Sequence, residues 1–131
     1  MLRRPLAATL LALLVACGES EEDEGPLMAP GQNCLSCHGE FTLAGTVYAS
    51  QTAAPDQGVE GLDIDVVPSS GPSFTLTSNA AGNFYTTRSI TFPVTVSVTD
   101  GVGTVTMPDP VEADGGGCNG CHGAGNRVFF P

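Results

Sequence analysis

Two five-residue segments contain almost all of the chemically reactive side chains of this sequence. The first motif is Cys34-Leu35-Ser36-Cys37-His38, the second is Cys118-Asn119-Gly120-Cys121-His122, and together they hold four of the five cysteines and both histidines. Two thiols separated by two residues, with an imidazole directly after them, can attach one haem: the thiols add to its vinyl groups and the histidine becomes an axial iron ligand. The predicted thioether sites are Cys34, Cys37, Cys118 and Cys121, and the predicted iron ligands are His38 and His122.

The same side chains permit other chemistry. Four thiolates from two Cys-x-x-Cys segments can bind zinc tetrahedrally, and residues 118–125 also resemble the Cys-x-x-Cys-x-Gly-x-Gly repeat of zinc-binding chaperone modules. In an oxidising compartment the four cysteines could instead form disulfides, with three possible connectivities. Neither alternative explains why a histidine follows each cysteine pair and occurs nowhere else. Two covalent haems are therefore the first interpretation, and zinc and disulfides stay open.

A sixth ligand for either iron would have to be a side chain other than histidine, because the chain has no third histidine. The candidates are Met107 and Met28. Met107 follows the last predicted strand, eleven residues before Cys118, and could reach a haem held by the following loop. Met28 lies in an acidic segment and is the weaker candidate. Methionine sulfur favours reduced iron and raises the potential relative to a second histidine.

The start of the chain predicts export. Arg3 and Arg4 precede an apolar run over residues 6–16, which fits a signal peptide and is too short to span a membrane.

The run ends in Leu14-Val15-Ala16-Cys17, which resembles the lipobox of bacterial lipoproteins. This resemblance implies that residues 1–16 are removed and that Cys17 is lipidated, so that acyl chains anchor the protein to a membrane. The same resemblance to bacterial lipoproteins implies, through their sorting rules, that Gly18 rather than an aspartate after Cys17 favours the outer membrane over the inner. The alternative is ordinary cleavage that leaves Cys17 as a thiol.

The charge excludes some partners. Without residues 1–16, Arg88 and Arg127 remain against fourteen acids, a formal charge of −12. Nucleic acid is not an expected partner, because binding phosphate requires Lys and Arg, whereas a basic redox protein would complement the charge. Residues 17–33 combine acids with Pro and Gly and predict a solvated tether behind the lipidated cysteine.

Hydrophobic residues in the middle of the chain recur with a period of two. The clearest alternating runs are Leu62, Ile64 and Val66, and Phe92, Val94, Val96 and Val98. Asp100-Gly101 predicts a two-residue hairpin turn. Six short strands separated by Gly, Pro and Asn turns predict an all-β fold, a small antiparallel β-sandwich (Ig-like or prealbumin-like) over residues 34–131. In sequence, one motif loop precedes the first strand and the other follows the last.

The stretch also resembles the carboxypeptidase regulatory-like, or prealbumin-like, β-sandwich family. The matching segments are Gly45-Thr46-Val47, residues 61–66 and residues 77–85, mainly glycine turns and strand alternation. The resemblance covers about half of the chain and implies a scaffold or binding module without catalytic residues.

The two motifs and the leader together resemble exported dihaem c-type cytochromes. This implies an electron-transfer protein of the bacterial cell envelope, facing the periplasm or the cell surface. The usual helical cytochrome fold is not expected, because Gly39 follows the first motif and Gly123 and Gly125 follow the second. If the strands run strictly antiparallel, both motifs lie at the same end of the sandwich and the two haems are neighbours.

Enzymatic activity is not predicted. No histidine remains as a general base, and the chain has no Ser-His-Asp set or phosphate-binding loop. Asp63 and Asp65 alternate with buried positions and are expected on a solvated strand face. The competing function is a non-redox binding or structural module of the envelope, held together by zinc or disulfides.

Overall fold

Six strands form two antiparallel sheets in the computed structural model, which describes residues 28–131. The strands are β1 (Leu43–Thr46), β2 (Asp63–Ser70), β3 (Phe74–Thr77), β4 (Asn83–Thr86), β5 (Thr91–Thr99) and β6 (Thr104–Thr106). One sheet pairs β1 with β4, and the other has the order β3-β2-β5-β6. The predicted small antiparallel β-sandwich is confirmed. The predicted signal peptide, the lipidated Cys17 and most of the predicted tether lie outside the described residues.

The core lies between the two sheets and follows the predicted alternation. In β5 every second residue from Val94 to Val98 is buried, and in β2 Ile64 and Val66 have no exposed surface. The intervening carboxylates face solvent as expected: Asp65 and Asp63 accept hydrogen bonds from threonine hydroxyls of β3 at 2.6 and 2.9 Å. The two-stranded sheet adds its own apolar side chains to this cluster, namely Leu43, Val47 and Phe84.

The turn between β5 and β6 differs from the prediction. Thr99 pairs with Thr104, so four residues connect the strands rather than the two of an Asp-Gly hairpin. The carboxylate of Asp100 accepts hydrogen bonds from the amides of Val102 and Gly103 at 2.9 and 2.8 Å. An aspartate that bonds its own downstream backbone stabilises this longer turn.

Strand β1 is buried at all four positions, which a sheet with one solvated face would not produce. Leu43 packs into the core, whereas Thr46 points to the other side and hydrogen-bonds Asn83 and Asn119. Ala44 also forms a parallel bridge with Gly117. Residues from both ends of the described chain therefore cover the outer side of β1.

Residues 107–131 return along the sandwich. Val111 bridges Val94 of β5, and Phe129 forms a parallel bridge with Tyr48. This return, rather than a strict up-and-down strand order, brings the second motif to β1. Among residues 28–131, no helix has the length and apolar composition needed to cross a bilayer.

Candidate functional site

The two motifs lie side by side although they are far apart in sequence. The amide nitrogen of the Asn119 side chain donates a hydrogen bond to the carbonyl oxygen of Gln32 at 2.8 Å. The side chain of Asn33 packs so closely on Gly117 that a β-carbon there would collide with it. The expected proximity of the motifs is confirmed, but its basis differs: β1 pairs with β4, and the chain crosses to the second sheet before it returns.

Each motif forms a single helical turn. A 3₁₀ helix spans Cys34–Ser36 and a short α-helix spans Cys118–Cys121, where the glycines around both motifs had suggested irregular loops. The backbone amides of His38 and His122 donate to the carbonyl oxygens four residues earlier, at 2.9 and 2.8 Å. Residues three and four positions apart in a helical turn share one side. The turn therefore presents two cysteines and the following histidine on the same side.

The second motif borders a cavity of about 400 Å³. Cys118, Cys121 and His122 all line this cavity, and so does Met107. The rest of the lining is mainly apolar and includes Phe84, Val98, Val105, Val111, Val128 and Phe129. An apolar cavity of this size with a few polar groups is typical of a small-molecule or cofactor site.

The imidazole of His122 is oriented by the backbone. Its Nδ1 lies 3.0 Å from the carbonyl oxygen of Asn126. A carbonyl oxygen can only accept a hydrogen bond, so Nδ1 carries the proton in the neutral ring and Nε2 keeps its lone pair. A histidine held in this way through one nitrogen offers the other to a metal, as is usual for metal-binding histidines.

The imidazole of His38 is oriented similarly. Its Nδ1 lies 3.4 Å from a carboxylate oxygen of Glu40. Its Nε2 is buried and has no hydrogen-bond partner among the described residues, which is unusual for a buried polar atom. The ring stacks on Phe41, which stacks on the half-exposed Tyr85, with ring centroids 4.7 Å apart at each step.

The thiols differ in environment. The pKa of Cys118 is raised to about 12, mainly by burial; a backbone hydrogen bond lowers it, and the neighbouring sulfurs of Cys34 and Cys121 add to the rise. Burial also raises the pKa of Cys34, whereas Cys121 is exposed. Cys37 is disulfide-bonded, whereas Cys34, Cys118 and Cys121 carry free thiols. A sulfur in a disulfide cannot form a thioether, so this bond would have to be reduced before attachment at the first motif.

The two methionine candidates are placed differently. Met107 directly follows β6, is partly exposed and lines the same cavity as His122. Met28 does not line that cavity; it is 45% exposed, and its carbonyl oxygen accepts a hydrogen bond from Asn83. Of the two methionines, Met107 is therefore the better placed to reach a group bound at the second motif.

Two polar residues at the site carry no signal in the sequence. Arg127, which composition marks only as one of few bases, is 6% exposed and lies 4.7 Å from the ring centroid of Tyr48. Asn119 occupies a variable position of the second motif and is 7% exposed. Burial of such residues depends on long-range packing, which local patterns do not report.

The donor set would fit a covalently held haem at the second motif as it stands, and one at the first motif once Cys37 is reduced. Each motif presents an imidazole whose Nδ1 is paired and whose Nε2 is not, and the second adds an apolar cavity bordered by a thioether sulfur. Among residues 28–131, no group of three or more His, Cys, Asp or Glu side chains converges as a ready metal cage. No protein-family model, curated protein or solved structure matches the chain.

Proposed function

We propose that this protein is a dihaem c-type cytochrome that carries electrons in the bacterial cell envelope, with one haem attached at each motif. When bound, each haem supplies a one-electron iron couple. The chain's own role is to hold the group, orient its axial ligands and limit its contact with water. No catalytic step is assigned to the protein.

One observation carries the proposal: Cys118, Cys121, His122 and Met107 border the same apolar cavity. Two thiols, an imidazole and a thioether are the side chains needed to attach a haem and to ligate its iron on both sides. The carbonyl of Asn126 leaves Nε2 of His122 as the ligating atom. Apolar walls would lower the local dielectric around the iron, which is one of the levers that sets its potential.

The first motif supports the same chemistry with a different ligand environment. The buried Nε2 of His38 lacks a hydrogen-bond partner among the described residues, and a metal ion would satisfy it. Glu40 is placed to accept the proton on Nδ1, which raises the basicity of the ligating nitrogen. His38 does not line the cavity that contains Met107. We therefore expect the two irons to differ in potential, with the higher potential at the second motif.

The sequence supplies the proposed location and partners. Lipidation at Cys17 would tether the sandwich to the membrane, with the outer membrane favoured, and residues 18–33 would let it reach a partner. A formal charge of −12 after removal of residues 1–16 favours a basic redox protein as that partner. Nucleic acid is not part of the proposal.

The deciding experiment is expression together with the c-type maturation machinery, followed by intact mass and a pyridine haemochrome spectrum. We expect a red protein that carries two haem masses. The His38→Ala and His122→Ala variants should each lose the histidine-ligand signature of one iron from the visible spectrum, which would place the two axial ligands. A colourless protein without added mass would refute the proposal.

A second function is favoured by one observation, the disulfide at Cys37. In this alternative the protein is a non-redox envelope module, and its cysteines staple the ends of the sandwich through disulfides or zinc. A colourless product containing one equivalent of zinc, or no free thiols, would support it. Thiol counting and metal analysis on the same sample separate these outcomes from haem loading.

A further inference from the structure

A buried side-chain amide joins the two motifs. Asn119, between the two cysteines of the second motif, is 7% exposed. Its Nδ2 donates to the carbonyl oxygen of Gln32 at 2.8 Å and to Oγ1 of Thr46 at 3.0 Å. Its Oδ1 accepts the backbone amide of Thr46 at 3.1 Å. One side chain therefore binds both β1 and the segment that enters the first motif.

Thr46 is the centre of this polar cluster. Its hydroxyl donates to Oδ1 of Asn83 at 2.7 Å and accepts bonds from Asn119 and from the backbone amide of Gly31. A hydroxyl has one donor and two acceptor sites, so that of Thr46 is fully used. A satisfied buried network of this kind fixes one arrangement, because any shift leaves a buried polar group unpaired.

The attachment chemistry does not explain this burial. Haem attachment requires the two cysteines and the histidine, and the residues between the cysteines need only provide the spacing. Asn119 instead bonds a residue 87 positions earlier, two residues before Cys34. On the same side, Asn33 packs closely against Gly117 and Gly120, which have no side chains to hold it away.

We infer that Asn119 is a positioning residue that fixes the second motif against the entry to the first, so that the two bound groups form one pair at a set separation and orientation. This inference rests on the proposed function. It adds that the two haems are coupled through the fold, rather than being independent groups at the ends of a flexible chain.

The test compares Asn119→Leu, which keeps the volume but removes all three hydrogen bonds, with Ser78→Ala. Ser78 is 3% exposed, makes one buried and one partly buried hydrogen bond through its hydroxyl, and belongs to neither motif. It is therefore a matched control for the general loss of a buried polar contact. Asn119→Ser is a milder variant in case Asn119→Leu does not fold.

The first readout is circular dichroism in the Soret band, where two neighbouring haems in fixed orientation give a paired positive and negative signal. We expect the Asn119 variants to lose most of this signal while intact mass still shows both haems, and Ser78→Ala to keep it. An unchanged signal in an Asn119 variant that carries both haems would overturn the inference.

The second readout is hydrogen exchange of residues 29–38, which does not require haem. We expect exchange there to be about 10-fold faster in the Asn119 variants, while β2 and β5 keep their protection. If the protein proves colourless, the proposed function fails, and this measurement still decides whether Asn119 holds the segment. Equal exchange rates of residues 29–38 in the wild type and the variants would reject the inference that Asn119 holds this segment.

Discussion

The folded, haem-free chain should protect the thiol of Cys118 from reaction, including the thioether formation that the proposed haem attachment would need. Thiol reagents attack the thiolate, and burial raises the pKa of Cys118 from 9.0 to about 12. At pH 8 the thiolate is then about one part in 10,000, compared with about one in ten at the ordinary pKa. Labelling of Cys118 should be about 1,000-fold slower in the folded chain than in the unfolded chain, before any steric protection.

The assay is pulsed alkylation of reduced, haem-free protein at pH 8, with and without denaturing urea, followed by mass spectrometry. Cleavage at Arg88 and Arg127 yields one peptide that contains both cysteines of the second motif. The exposed Cys121 therefore serves as an internal control on the same fragment. Equal labelling rates of the two cysteines in the folded protein would show that the second motif is not packed as described.

The same thiol should make the haem-free protein less stable at alkaline pH. Its pKa is higher in the folded state, so below pH 9 both states keep the proton and the thiol adds no pH dependence. Between pH 9.0 and about 12 the unfolded chain releases a proton that the folded chain retains. The free energy of unfolding should then fall by at most about 1.4 kcal/mol per pH unit, less where water reaches the sulfur. In urea titrations the free energy of unfolding should be lower at pH 10 than at pH 8, and Cys118→Ala should remove the part of this fall that Cys118 causes; the raised pKa values of Cys34 and Tyr48 leave a remainder.

Three further predictions concern the core, the distal ligand and the contact behind the second motif. Ile64→Ala should lower the free energy of unfolding by about 3 kcal/mol in urea titration, because the side chain is completely buried; a cost below about 1 kcal/mol would contradict this packing. Met107→Ala should keep both haems attached but lower one reduction potential in a spectroscopic titration, while Met28→Ala leaves both potentials unchanged; the reverse pattern would assign the ligand to Met28. Gly116→Ala should destabilise the protein by about 1–3 kcal/mol, because a β-carbon there would clash with a backbone carbonyl just before β1. Gly123→Ala is the control and should be neutral, because a β-carbon there contacts no other atom. Equal thermal midpoints of the two variants would refute this contact.

The strands could be predicted from the sequence because their signal is local. Alternation around Ile64 and from Val94 to Val98 places one side of each strand in the core, and the structure has the same pattern. Strand pairing depends on residues distant in sequence, so the pairing of β1 with β4 could not be derived from local alternation. The double-sided burial of β1 has the same origin, since its second cover comes from residues more than 70 positions later.

The candidate site was predictable in its residue types but not in its surroundings. The spacing of the motifs identifies the thiols and imidazoles without any fold. It does not show that Asn126 orients His122, that Phe41 and Tyr85 stack beyond His38, or that Asn119 is buried. Polar residues next to glycines are usually exposed, and only the return of residues 113–131 to β1 places Asn119 inside.

That return also has a kinetic consequence. The bridges from Ala44 to Gly117 and from Tyr48 to Phe129 join distant parts of the chain, and proteins rich in such non-local contacts fold in milliseconds to seconds rather than microseconds. Until these bridges form, the chain is open and Cys118 has the reactivity of an unfolded thiol. Under the proposed function, slow closure would leave an interval in which an attachment enzyme could reach the second motif before folding encloses it. A variant that folded much faster would be expected to mature less completely.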